Sequence, residues 1–388
     1  MRTDVEERLA LLGQAAQYDA CAEAGEPAPF AQDPAPQPIP RGDLKPYVTY
    51  VIAKGGRRMP VMKVLQTSAC EKNCFYCPFR AGRNFRRETL EPGELARVFD
   101  QMWRQRLVEG LFLSSGIIGA RRSQDRMLAT VELVRRKYGF PGYIHLKLLP
   151  NAEPAQIERA VQLADRVSVN LEAPNPERLA RLAPKKDFGP GLVATLRQAA
   201  GYIRAGEGRY VRAGQTTQFV VGAAGESDRE ILSTSQMLYD EIVLARAYYS
   251  AFNPVPDTPL ESQPPASPLR AHRLYQSDFL LRRYGFRMDE LIFDGQGHLP
   301  LHTDPKTAWA EAHRELFPLE LNRAPRELLL RVPGIGPMGA WRLLAARRRG
   351  TLRSLSDLEH LGIASEKAAP YILLAGRRPP VQLRFSDL

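Results

Sequence analysis

Six short runs rich in β-branched and apolar residues alternate with longer helical patterns through the middle of this chain, and that alternation excludes most architectures. The runs are Val61–Thr67, Leu111–Ser115, Tyr143–Leu148, Arg166–Glu172, Thr216–Gly222 and Ala247–Phe252. The helical patterns are Pro92–Arg106, Ser123–Tyr138, Pro154–Leu163, Pro190–Ala205, Asp228–Ile242 and Pro268–Tyr284. Strand then helix, repeated, is the pattern of parallel β/α units, because a parallel partner requires a crossover. The fold class is therefore α/β, as an open sheet or a partial barrel. Along Arg166–Glu172, Val167, Val169 and Leu171 point one way and Ser168, Asn170 and Glu172 the other, since side chains alternate along a strand. Tyr143–Leu148 repeats the pattern, with Tyr143, His145 and Lys147 on the polar face. Parallel strands covered by helices on both sides are apolar on both faces, and a buried polar face is costly unless satisfied. These two strands are either sheet edges facing water or the wall of a cavity for a polar ligand. The second reading is favoured, so the expectation is a partial, TIM-like (β/α)6 barrel.

Around this middle the pattern changes. Thr3 to Glu6 reads as a capping box opening a helix to about Tyr18, and residues 25–40 carry six prolines, which reads as an extended tether. The expected organisation is a helix and tether over 1–46, the barrel over 47–284, a connector over 285–322 and a small all-α tail over 323–388. No run approaches the roughly 18 to 20 apolar residues of a membrane span. The N-terminus is too charged for a signal peptide, so the cytoplasm is expected. Net charge is +11, and Arg323–Leu388 holds 12 Lys+Arg against 5 Asp+Glu, or +7. Such a tail suits a polyanion; the alternative is arginine on solvated faces.

The chain has four cysteines, and three form the run Cys70-Glu71-Lys72-Asn73-Cys74-Phe75-Tyr76-Cys77. This C-x3-C-x2-C loop follows the first strand at its carboxyl end, where β/α folds build sites. A structural zinc site takes four nitrogen or sulfur ligands, and the nearest further cysteine is Cys21, across the proline tether. Three thiolates on a four-iron cluster leave one iron open to a reactant. Zinc completed by Cys21 or a distant His, and three incidental buried thiols, are the alternatives.

With an aromatic residue before the last cysteine, this motif at the head of a six-unit β/α chain resembles the radical S-adenosylmethionine (SAM) superfamily. The resemblance implies that Cys70, Cys74 and Cys77 bind a [4Fe–4S] cluster whose open iron is chelated by SAM. One electron from the cluster would then cleave SAM to methionine and a 5′-deoxyadenosyl radical. It implies cofactor contacts at Tyr76; at Ser114, Ser115 and Gly116, which stand where the superfamily often has Gly-Gly-Glu; at Ser168, Asn170 and Glu172; and at Gly222 and Phe252. Several segments, among them Gly110–Gly116, Gly142–Lys147, Asp165–Pro174 and Tyr248–Phe252, resemble a radical SAM subfamily assigned to DNA modification or repair. That subfamily is linked to a uracil-DNA glycosylase-like partner, and an electron donor such as flavodoxin or ferredoxin is implied.

The tail carries Val332-Pro333-Gly334-Ile335-Gly336-Pro337-Met338-Gly339-Ala340 between two helical patterns, and it resembles a helix-hairpin-helix element. Gly334 and Gly336 permit a tight turn, whose amides at the next helix N-terminus suit a phosphate. The expected nucleic-acid contacts are Gly334, Ile335, Gly336, Met338, Gly339, Arg342, Arg347, Arg348 and Arg349. A second, degenerate copy follows at Leu355–Leu374. His145 and Lys147 are read as cavity contacts or satisfied interior groups, Lys185 and Lys186 as a solvated loop before a partner for a carboxylate or phosphate, and Cys21 as a small hydrophobe before a radical relay or substrate-side thiol. The expected activity is radical modification or repair of a nucleic acid, DNA first. The alternatives are a radical SAM enzyme on RNA, peptide or small molecule with the tail as a protein dock, and a zinc-stabilised, non-enzymatic DNA-binding protein.

Overall fold

A computed structural model describes residues 2–16, 48–52 and 56–380. Cys21 and the proline-rich segment 25–40 lie outside the described residues. The chain divides into two compact units, Met1–Glu226 with Met237–Ala271, and Ser227–Gln236 with His272–Leu388.

The first unit is a curled seven-stranded sheet whose spatial order is the chain order. Its strands are β1 Val48–Ile52, β2 Arg58–Leu65, β3 Gly110–Ser114, β4 Tyr143–Lys147, β5 Arg166–Ser168, β6 Gln215–Val221 and β7 Arg246–Ala251. β2 to β7 are parallel throughout. The helices in chain order are α1 Arg2–Ala15, α2 Pro92–Arg104, α3 Ala120–Glu132, α4 Pro154–Leu163, α5 Pro176–Leu182, α6 Ala194–Ala205, α7 Asp228–Ile242 and α8 Pro268–Arg283. α7 and α8 are each divided between the two units. Proline at the first helical position opens α2, α4 and α5, where its fixed φ is already helical and no N–H bond is lost. A side chain three residues on closes two of these turns: Glu94 accepts the Glu91 N–H at 2.9 Å and Gln156 the Glu153 N–H at 2.9 Å.

β4 and β5 lie in the middle of the sheet, so their polar faces are not edges. Three features depart from the sequence reading. β1, antiparallel to β2, was missed because β-branched Val48-Thr49-Tyr50-Val51-Ile52 abuts a segment without pattern. α5 was missed although Asn175 caps it, accepting the Arg178 N–H at 2.9 Å. The fourth parallel strand is regular only over Arg166–Ser168. Beyond it the Thr217 hydroxyl replaces ladder partners, donating to the Val169 carbonyl at 2.7 Å and accepting the Leu171 N–H at 3.2 Å. Pairing resumes at Glu172, opposite Phe219, with Glu172 at φ 66°, a region a non-glycine residue occupies at some cost in strain.

The second unit contains α9 Pro305–Ala312, α10 Arg326–Leu329, α11 Pro337–Ala346, α12 Leu355–His360 and α13 Ser365–Ala368. The segment 285–322 lies within this unit. The tail is not all-α: β8 Leu319–Glu320 pairs in parallel with β9 Ile372–Leu373, tying the two ends of the helical array together. Leu321, Leu329, Val332, Ile335, Leu343, Leu358 and Ile372 fill its core. Each such side chain contributes about 1.5–3 kcal/mol by leaving water.

Candidate functional site

The loop after β2 is held by backbone bonds at both ends. Gly116 N–H donates to the Thr67 carbonyl at 2.7 Å, Glu71 N–H to the Ile117 carbonyl at 2.7 Å and Ala81 N–H to the Lys72 carbonyl at 2.8 Å. Arg87 spans it, donating to the carbonyls of Ser68 (3.4 Å), Phe79 (3.1 Å), Arg80 (2.8 Å) and Arg83 (3.2 Å). One guanidinium thus joins the entry of the cysteine loop to its exit. Glycine is required at Gly116, since a Cβ there would stand 2.2 Å from the Ala69 carbonyl oxygen.

Cys70, Cys74 and Cys77 are free thiols on the wall of one cavity. Tyr76, Ser114, Ser115, Gly116, Asn170, Glu172 and Phe252 share that cavity, so the structure brings together seven of the nine expected cofactor contacts. The other two lie elsewhere. Ser168 is buried, its hydroxyl 2.8 Å from His145 Nε2. Gly222, at φ 93°, donates its N–H to the Glu226 carboxylate, and a Cβ there would meet Ala266 at 2.5 Å. Ser168 is engaged by a neighbouring strand and Gly222 serves a turn. The cavity also takes in Lys147, Lys186, Gln218, Ser250 and Asn253.

Lys186 takes the carboxylate-partner reading and not the solvated-loop one. Its ammonium lies 2.9 Å from Glu172 Oε1, with side chains 10% and 5% exposed. Burial would lower its pKa, but the charges of Cys74 and Glu172 outweigh burial and raise it. Tyr76 hydrogen-bonds Glu172, and its pKa stands well above the usual phenol value, from desolvation first and then the charges of Glu172 and Cys74. Desolvation also pushes the Cys74 and Cys77 thiols up, with Lys186 opposing. Only proximity in the fold joins Lys186 to Glu172 and the thiols; no spacing in the sequence signals it. His145 is held well below its ordinary pKa by burial, then by Arg166, Lys147 and Lys63, which leaves the ring neutral.

Residues 64–238 match the sequence model of the radical SAM superfamily. The chain carries a radical SAM domain. The superfamily is one of enzymes, and its cofactors are a [4Fe–4S] cluster and SAM; that overturns the zinc-stabilised, non-enzymatic alternative. No curated protein sequence matches the chain. Among solved structures the chain is similar to HydG, a maturase of the [FeFe]-hydrogenase, at 10% identity and TM-score 0.46, covering 56% of this chain and 48% of that one. HydG from Carboxydothermus hydrogenoformans gives 14%, 0.44, 56% and 50%, and methylornithine synthase (PylB) gives 17%, 0.45, 56% and 60%. The chain thus spans between 48% and 60% of these proteins' lengths.

The radical SAM donor set fits its cluster: three thiols on one loop face one cavity, with polar groups opposite. Among the described residues no three His, Cys, Asp or Glu side chains are grouped closely enough to form a metal site. Cys70, Cys74 and Cys77 would hold the cluster, which supplies the electron that cleaves SAM. Ser114, Ser115, Asn170 and Glu172 would offer the acceptors and donors that orient SAM's polar groups. Lys186 holds Glu172 in place. Leu65, Val169 and Phe252 give the same cavity apolar wall, which excludes water from a reactive site.

In the second unit, α10, a turn with Gly334 at φ 84° and α11 form one helix pair. α12, a turn with Gly362 at φ 68° and α13 form another. The pairs pack on each other, since a Cβ at Gly334 would stand 2.6 Å from the Ala364 carbonyl oxygen and one at Gly339 3.0 Å from Ile363. Several of the expected ligand contacts have partners within the fold. The Ile335 side chain is fully buried, and its carbonyl accepts a hydrogen bond from the Lys306 ammonium. Arg347 donates to the Leu321 and Ala324 carbonyls at 3.2 and 2.6 Å, and Arg342 to Leu361 at 3.0 Å. Arg348 and Arg349 are exposed, and Gly336 and Met338 stand at the start of α11.

Proposed function

We propose that this chain cleaves SAM reductively at a [4Fe–4S] cluster and uses the radical to modify or repair a nucleic acid, DNA first. The observation that carries the SAM chemistry is the convergence of Cys70, Cys74 and Cys77 with Asn170 and Glu172 on one cavity inside the radical SAM match. The nucleic acid rests on the tail. Its glycine turn opens α11 at Gly336, whose following amides suit a phosphate, and exposed Arg348 and Arg349 follow that helix. Such contacts position a backbone without reading bases. The tail is read as a paired helix-hairpin-helix, the electron donor as a flavodoxin or ferredoxin, and a uracil-DNA glycosylase-like protein as the partner. No helix among the described residues is long and apolar enough to cross a membrane.

One observation favours a second reading, a radical SAM enzyme on another substrate whose tail docks a protein. Met338 and Trp341 on α11 are 60% and 64% exposed, and exposed large apolar residues side by side mark interaction surfaces. One experiment separates the readings. The chain is purified anaerobically, its iron, sulfide and zinc are measured, and 5′-deoxyadenosine is assayed with reductant and SAM, with and without duplex DNA. About four irons per chain and faster product formation with DNA support the first reading. Product formation indifferent to DNA supports the second. Zinc without iron after reconstitution, and no product, rejects both.

A further inference from the structure

α11 buries Gly339, Ala340 and Leu343. Its other face leaves Met338, Trp341, Arg342 and Ala345 exposed, and steps of three, four and seven residues from Met338 place these on one stripe of a helix. Exposed Arg348 and Arg349 follow at its end. The chain has three tryptophans. Trp103 packs edge-on against Phe140 and Trp309 against Phe286, whereas Trp341 is 64% exposed. Met338 and Trp341 are what the protein-dock reading has in its favour, and their surroundings decide what covers them. From Leu328 to Ser356 the sequence holds six arginines and no carboxylate. Arg342 donates to the Leu361 carbonyl at 3.0 Å, which holds the guanidinium without neutralising it. Two apolar side chains fall well short of the core of a stable protein interface, which buries about 1,200–2,000 Å² in all. One aromatic plate with guanidinia beside and beyond it suits a base and its flanking phosphates instead. Every base has a π-face, and the arginine fork fits phosphate oxygens. Arg348 stands seven residues past Trp341, roughly 10 Å along a helix, the length of about three stacked nucleotides.

We propose that Trp341 is a stacking platform for an unpaired base, so that the tail selects nucleic acid in which one base has left the helix. The proposal rests on the nucleic-acid reading of the tail and narrows its substrate from a continuous duplex to one with a bulged or extruded base. A fully paired duplex keeps its base faces inside the stack and offers this stripe only phosphates. A base that is to be altered chemically has to leave the stack to be reached, so the preference suits the proposed reaction.

The test uses the full chain, reconstituted and without SAM or reductant, so that no cleavage enters the result. Fluorescence anisotropy compares a labelled, fully paired DNA duplex, the same duplex with a bulged thymine, and the same duplex with an abasic bulge. The thymine bulge is expected to bind at least about 5-fold tighter than the other two, the lower end of one base–aromatic stack. Trp341→Ala should remove that preference and Trp341→Phe should keep it, whereas Arg348→Ala with Arg349→Ala should weaken all three alike. The emission of Trp341, taken as the difference from Trp341→Phe, should change when the thymine bulge binds, and this readout stands even if the alanine variant fails to fold. A ribonucleotide bulge binding tighter than the DNA one assigns an RNA strand and the reverse a DNA strand; either supports the proposal. Equal binding of the three duplexes overturns it, as does a preference that survives Trp341→Ala. An emission change with poly-glutamate and none with the bulge also overturns it and assigns the face to an acidic protein. If no duplex binds at all, the nucleic-acid reading itself fails; if all bind without discrimination, only the stacking proposal fails, so the two failures are distinguishable.

Discussion

At the residue scale, the site is set by side chains that cannot be exchanged without moving their neighbours. Gly116 is the clearest. An alanine methyl would lie 2.2 Å from the Ala69 carbonyl oxygen, and backbone cannot yield as a side-chain tip does. Gly116→Ala should lower stability by about 1–3 kcal/mol and reduce iron content after reconstitution; full iron loading would show that the loop tolerates the shift. The Glu172–Lys186 pair makes a second case. Removing one member of a buried pair strands the other charge, at about 3–5 kcal/mol. Lys186→Met should therefore be strongly destabilising by denaturant titration, and Glu172→Gln with Lys186→Met less so than the two single changes added.

At the scale of the element, the arginines divide by what they touch. Arg87 joins four carbonyls of the cysteine loop, and Arg87→Lys, with one donor head in place of a fork, should lower iron retention during gel filtration. On α11 and the turn after it, three successive arginines have different roles. Arg347→Ala leaves the Leu321 and Ala324 carbonyls without a donor and should cost about 1–3 kcal/mol of stability. Arg348→Ala with Arg349→Ala should leave stability within about 0.5 kcal/mol and, on the DNA reading, flatten the salt slope of binding by roughly one for each phosphate no longer neutralised. A salt slope that moves with Arg347 and not with Arg348 and Arg349 would reverse this division.

At the scale of the whole molecule, stability carries a pH term from Lys306. Its side chain is buried on α9 beside Tyr284, 4.8 Å from the ring centre. Burial lowers its pKa to about 7, Lys367 and Arg331 adding and Asp304 opposing. The unfolded chain therefore binds one more proton than the folded chain between about pH 7 and the ordinary lysine value of roughly 10.4. The Lys306 contribution to stability should rise with pH across that window and be flat below it, by at most about 5 kcal/mol at 1.36 kcal/mol per unit. The raised Cys74 and Cys77 thiols act in the opposite direction above the ordinary thiol value of about 8.5. Urea titrations at about pH 7 and 8, below the thiol range, should show a rise for the full chain that Lys306→Met lacks.

The β/α alternation and the C-x3-C-x2-C loop were legible in the linear chain because both are local: strand and helix periods repeat within a dozen residues, and three ligands on one loop need no distant partner. Parallel strand ends fell within one to three residues of their expected places for the same reason, the fourth strand excepted. Thr217, on a neighbouring strand, interrupts that one, and no local pattern encodes it. The polar faces of β4 and β5 were visible too, and their central position turned an edge-or-cavity choice into a cavity. What folding alone decided lies in contacts across long separations. Lys186 reaches Glu172 and Cys74, Ser168 is captured by His145, and Arg347 is spent on carbonyls some 25 residues away. A charge in sequence reads as solvated or ligand-binding, and only packing reveals which partner has already claimed it.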